Sequence, residues 1–254
     1  MDFMLFIRII TFPFIFILLL IWTPKIKQNR NGISVVHKLF FGAVCFLIGA
    51  ISAFPDPVIP WLHLIGIAAM HYAILSLHMA ADHLINNKRY IPILKNKVFI
   101  ITTVLTIATL VVDYIRRDNL QPFIDFDVKN RIPIYYLGEI LHFLTLFYLG
   151  VITIRMYVLN FLNAEVKNFS IRVIAGFLTF LVGAVSSGLV MAGLIVSILY
   201  GDENRTLFTT FYHYSKIIIL ILIIIGFAMP QSLVRLIAHP LEQRQAEKKN
   251  GMNY

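Results

Sequence analysis

Seven stretches of this chain are apolar over about the length of a membrane-spanning helix, and this repetition constrains the fold more than any other feature. They cover residues 3–23, 36–54, 61–85, 96–115, 132–160, 171–200 and 207–237. A hydrocarbon layer about 30 Å thick takes roughly 20 such residues in a helix. Within it, every backbone N–H and C=O must be satisfied inside the protein, so segments of this kind are helical. A soluble core could not hide this much apolar surface. Of the 254 residues, 59% are hydrophobic and only 14% are charged, against about 25% charged in ordinary soluble domains. The expected fold is all-α, a polytopic membrane bundle of about seven transmembrane helices. It forms one domain, 1–241, followed by a short polar cytoplasmic tail, 242–254. The N-terminus, with Asp2 and no basic leader or cleavage site, reads as the start of the first membrane helix.

Charge orients the bundle. With the N-terminus outside and the C-terminus cytoplasmic, 15 of the 22 Lys and Arg residues fall on the inner side, among them Lys25, Lys27, Arg30, Lys88, Arg89, Lys167, Arg172, Lys248 and Lys249. Five fall outside: Arg116, Arg117, Lys129, Arg131 and Arg205. Basic residues are retained on the cytoplasmic side, so the formal net charge of +9 is a topology signal and not a nucleic-acid footprint. The acidic residues Asp113, Asp118, Asp125, Asp127, Asp202 and Glu203 lean outward. High Ile, Lys and Asn usage suits a bacterial chain from an A/T-rich genome, located in the plasma membrane. Cys45 is the only cysteine, so an internal disulfide and a cysteine metal motif are both excluded.

Ionisable side chains at membrane depth are costly, and they mark candidate functional sites. The third, fifth and seventh segments all run inward from the outer side. At about 1.5 Å per residue, His71, Glu139, His142, His213 and Lys216 then fall roughly 9–15 Å below the outer ends of their helices. Glu139 and His142 are three residues apart, as are His213 and Lys216, so each pair shares a helix face. Four readings are open: a polar pocket for a small-molecule ligand or transported solute, with Glu139 and Lys216 as an ion pair; a zinc site of His71, His142, His213 and Glu139; a b-type haem between His71 and His142, with His78 able to take a second; and interhelical hydrogen bonds that only hold the bundle. The cofactor and any metal remain open at this stage. His37, His63, His83 and His239 read as solvated residues near the interfaces. No phosphate-binding loop, nucleophile elbow, zincin or dinucleotide motif occurs, so the chain reads as a non-enzyme.

The sixth segment carries small residues four apart: Ala184, Gly188 and Ala192; Gly183 and Ser187; Gly193 and Ser197. This spacing lets helix backbones approach closely, either within the bundle or in a homodimer. Pro230 should kink or end the seventh helix.

The layout resembles a bacterial, mainly actinobacterial, family of seven-helix integral membrane proteins catalogued as transporters. The resemblance is carried by the basic first loop, the short outer loop with Pro55, Pro57 and Pro60, the stretch Asp125-Phe126-Asp127, the run Arg172, Gly176, Gly183 and Gly188, and Gly226-x-x-x-Pro230. It implies a small-solute transporter or a ligand-binding membrane protein, and supplies no catalytic residues. Two alternatives come from other classes. One is a sensor or signal-relay subunit acting with a separate cytoplasmic partner. The other is a haem- or metal-binding redox protein.

Overall fold

The structure, a computed structural model, describes residues 15–21, 35–52, 60–86, 96–120, 133–163, 171–200 and 205–228. Among these residues there are seven helices and no strand. They are α1 (15–21), α2 (Val35–Ser52), α3 (Pro60–Asn86), α4 (Lys97–Leu120), α5 (Pro133–Asn163), α6 (Ile171–Tyr200) and α7 (Arg205–Ile223). The last passes directly into a π-helical turn, Ile224–Ala228.

Local chemistry explains the helix ends. α3 and α5 both open on a proline, whose missing N–H costs nothing at a first helical position and whose φ is already helical. α4 is capped by Asn96, whose Oδ1 accepts the Val98 N–H at 3.0 Å and whose carbonyl accepts the Ile100 N–H at 3.1 Å. α4 runs five residues past the expected end at 115, to Leu120. Nothing before Pro122 breaks it, and a helix stops at or ahead of the residue preceding a proline. The rest of the 116–131 connector, Pro230 and the tail 242–254 lie outside the described residues.

Among the described residues, five helices are long and apolar enough to cross a membrane: Val35–Ser52, Leu62–His83, Lys97–Ile115, Tyr136–Asn160 and Val173–Leu199. The chain is thus a multi-pass membrane protein. Of the first expected span only 15–21 is described, and the apolar part of α7, Tyr214–Gly226, is shorter.

The burial pattern is that of a bundle dissolved in lipid. On α4 the exposed face is Ile100, Val104, Ile107 and Val111, while the buried face is Thr102, Thr106, Thr109 and Asp113. Sequential helices pack together from α2 to α7, and α3 also packs on α5, so α3, α4 and α5 are mutually in contact. One apolar core joins α1, α2 and α3 to Tyr157 of α5, Phe180 of α6, and Leu220 and Ile223 of α7. A second, smaller one lies between α5 and α6, around Tyr136, Leu146, Val190 and Leu194.

Small residues set the closest approaches. A Cβ built on Gly150 of α5 would lie 2.8 Å from the Ala184 Cβ and 3.1 Å from its Cα. A Cβ on Gly188 would lie 3.2 Å from the Phe147 ring. Ala184 and Gly188 of the small-residue face therefore seat α6 against α5 within one chain.

Candidate functional site

The polar interior is built around α3. His71, fully buried, bonds through both ring nitrogens. Its Nδ1 is 3.0 Å from Thr106 Oγ1 of α4, and its Nε2 is 2.8 Å from Nδ1 of His142 on α5. The two imidazoles are stacked, with centroids 4.9 Å apart and planes at 21°. Phe143 meets the His142 ring edge-on at 5.0 Å. Two turns on, the buried His78 bonds through Nδ1 to Thr153 Oγ1 of α5 at 2.8 Å. Both contacts advance from α3 to α5 in the same sense, so these two helices run parallel, as their expected shared direction requires.

Donor counting assigns the protons. The Thr106 hydroxyl donates its one hydrogen to the Thr102 carbonyl at 2.7 Å, so toward His71 it accepts and His71 Nδ1–H donates. Neutral His71 then offers a lone pair at Nε2, and His142 Nδ1–H donates into it. His142 is left with its lone pair on Nε2. The same logic holds at His78. Thr153 donates to the Leu149 carbonyl at 2.6 Å, so His78 donates through Nδ1 and keeps its own Nε2 basic. Helical threonines that bond back to their own backbone thus fix the tautomer of two buried histidines.

Charged groups surround this centre. Lys216 of α7 and His63 of α3 are close enough to His142 for their charges to act on it. Glu139 precedes His142 by one turn of α5 and is partly buried. His63, read from the sequence as solvated, pairs through Nε2 with Asp113 Oδ2 at 3.6 Å; the His63 side chain is 44% exposed and that of Asp113 3%. Asp113, expected to lean outward, faces α5, where a Cβ on Gly138 would stand 3.4 Å from its Oδ1. At the other end of α3, the charge of Asp82 acts on both His78 and Lys38. Lys38 donates to the Met79 carbonyl at 3.3 Å, and Ser76 donates to the Lys38 carbonyl.

Of the five expected site residues, His71 and His142 are in direct contact, Lys216 is within electrostatic reach of His142, and Glu139 is its helix neighbour. The His213 side chain lies outside the described residues. Sequence reasoning missed Thr106 and Thr153 as anchors, and Asp113 as an inward-facing carboxylate. The signal for the α4 face was present in the spacing Thr102, Thr106, Thr109, Asp113, a polar helical stripe inside an apolar span.

The donor set bears on the metal readings. Two nitrogens sharing a tetrahedral zinc at about 2.0–2.1 Å would stand about 3.3 Å apart, farther than the 2.8 Å hydrogen bond of His71 and His142. Among the described residues no three His, Cys, Asp or Glu side chains are grouped to hold a metal ion. A groove of about 420 Å³ between α3 and α4, lined by Leu64, Ile65, Ala68, Leu110, Val111 and Tyr114, is apolar and includes neither histidine. No family model, no curated protein and no solved structure matches this chain.

Proposed function

We propose that this is a non-enzymatic protein of a bacterial plasma membrane that binds or moves a small acidic solute at the His142 centre. One observation carries the reading: at membrane depth, His142 keeps a lone pair on Nε2 while Lys216 and His63 bear on the same ring. A lone-pair nitrogen with further cationic groups nearby suits a carboxylic acid or similar weak acid, which can hydrogen-bond to Nε2 while the cations offset its negative charge. The resemblance to seven-helix transporters belongs to this reading, as does an orientation with the N-terminus outside. Such an orientation puts His71, His142 and Lys216 in the outer half of the bilayer.

The solute reading is tested by melting the detergent-purified chain against a panel of mono- and dicarboxylates, amino acids and sugars. A ligand at 100 times its Kd stabilises by about 2.7 kcal/mol. Carboxylates are expected to raise the wild-type melting temperature and to leave His142→Leu unmoved. Equal shifts in both proteins, or none in the wild type, would refute this site.

The orientation has its own test. A fluorescent fusion at the C-terminus is expected to report from the cytoplasm, and a phosphatase inserted at 202–206 from outside. The reverse pattern inverts the map and moves the histidine pair to the inner half.

A further inference from the structure

The hydrogen bonds that join Thr102, Thr106, His71 and His142 have a direction. Each member gives its hydrogen to the one before: Thr106 to the Thr102 carbonyl at 2.7 Å, His71 Nδ1–H to Thr106 at 3.0 Å, and His142 Nδ1–H to His71 Nε2 at 2.8 Å. The series starts at a carbonyl, which can only accept, so it ends in an acceptor, the lone pair of His142 Nε2. His71 is sealed, whereas His142 is only half-buried, so the end of the series is the part that a ligand can reach. A bare carboxylate has only lone pairs to offer, and it meets this nitrogen as acceptor against acceptor. The charges of Lys216 and His63 nevertheless act on the same ring and favour an anion beside it. Both demands, negative charge for the cations and a hydrogen for Nε2, are met by one small molecule only if it carries both.

Resting on the solute reading above, we infer that the ligand is a hydroxycarboxylate, whose hydroxyl donates to His142 Nε2 and whose carboxylate lies on the Lys216 side of the ring. Asp113 takes the His63 side, at 3.6 Å. The Lys216 ammonium has three donors, enough to hold Glu139 and a ligand carboxylate together. A ligand ammonium could also supply the hydrogen, but it would add a cation beside Lys216, so a hydroxyl answers better. Thr106 is then a positioning residue that sets the selectivity without touching the ligand. Its oxygen accepts from His71 Nδ1–H and so excludes the other tautomer of the pair. In that other state His71 would donate through Nε2, His142 would accept at Nδ1, and His142 Nε2–H would itself be a donor, suited to a plain carboxylate. The charged and titratable groups around the centre are His63 and His71 on α3, Asp113 on α4, Glu139 on α5 and Lys216 on α7. The His213 side chain on α7 is outside the described residues.

Acids that differ by one hydroxyl test the inference: lactate against propionate, 3-hydroxybutyrate against butyrate, and malate against succinate. Each is titrated into the detergent-purified full chain at neutral pH, with calorimetry and melting temperature as readouts. Wild type is expected to bind the hydroxy member of a pair about tenfold more tightly than its partner, the worth of one hydrogen bond to a buried acceptor. Thr106→Ser keeps the oxygen and is expected to keep that ratio. Thr106→Val removes the oxygen and releases the His71 tautomer, so the ratio is expected to fall to one or below. A threonine that only held the helices together would, when replaced by valine, weaken both members alike; an unchanged ratio in Thr106→Val therefore overturns the positioning role. Melting without ligand identifies a variant that fails to fold, and the wild-type ratio then decides by itself. Equal affinities within every pair, all lost in His142→Leu, overturn the hydroxyl inference and keep the solute site. Binding of none of the six acids overturns both.

Discussion

Gly150→Val is expected to yield almost no folded protein, and Gly150→Ala a protein melting several degrees lower than wild type. Even the alanine Cβ would sit 2.8 Å from the Ala184 Cβ and 3.1 and 3.2 Å from the Ala184 Cα and N. The last two are backbone atoms of α6, which cannot rotate away, so α5 and α6 must separate along their packed length. Overpacking of this kind costs about 1–3 kcal/mol, and more for a branched side chain. The gain in helix propensity from glycine to alanine, at most about 1 kcal/mol, does not offset it. Adding Ala184→Gly to Gly150→Ala removes the Cβ–Cβ clash but leaves the backbone contacts, so recovery should be partial. Thermal unfolding in detergent gives all four values of the cycle. A Gly150→Val protein that melts like wild type would mean that the α5–α6 seam is looser than described.

Glu139 and Lys216 should be coupled, and a double-mutant cycle measures the coupling. Glu139 lies on a helix long enough to cross the bilayer core and Lys216 in the shorter apolar part of α7, and both lie near His142: Glu139 one turn away on α5, Lys216 through its charge. A charge at membrane depth costs at least about 2.5–3.5 kcal/mol on insertion scales. Opposite charges offset part of this, and deleting one strands the other. Glu139→Gln and Lys216→Met are each expected to destabilise the protein by about 2–3 kcal/mol, and the double variant by clearly less than the sum. If the pair also lines the solute site, stability returns in the double variant while carboxylate stabilisation does not. Additive losses would mean that the two side chains do not interact.

Much of this arrangement can be read from the chain, and the division follows physical lines. The spans of α2 to α6 are legible because lipid demands long apolar helices whatever their neighbours. The meeting of His71 and His142 is legible as a shared depth, since α3 and α5 run in one direction. What actually touches what is not, because those contacts join residues 35 and 71 positions apart and depend on helix rotation. Thr106 and Thr153 look like ordinary threonines until their hydroxyl protons are followed. Asp113 counts with the outward-leaning acidic residues by its place along the chain, but the face it takes depends on the periodicity of α4, which turns it toward Gly138. His63, close to a helix end, reads as solvated and its side chain is 44% exposed, but the buried carboxylate 3.6 Å from it was not legible.

The threonine stripe of α4 also bears on how the molecule is made. Thr102, Thr106 and Thr109 each donate to a carbonyl one turn back in their own helix, at 2.7, 2.7 and 2.8 Å. The hydroxyls therefore make no demand on any other segment, and their remaining lone pairs are weak acceptors. α4 can enter the bilayer as a self-contained helix while α5 is still being synthesised, with Asp113 near its end as a costly buried group. The polar face waits, already satisfied, until α3 and α5 dock and His71 claims the oxygen of Thr106. Insertion and assembly thus become separable stages of biogenesis, and the histidine pair belongs wholly to the second.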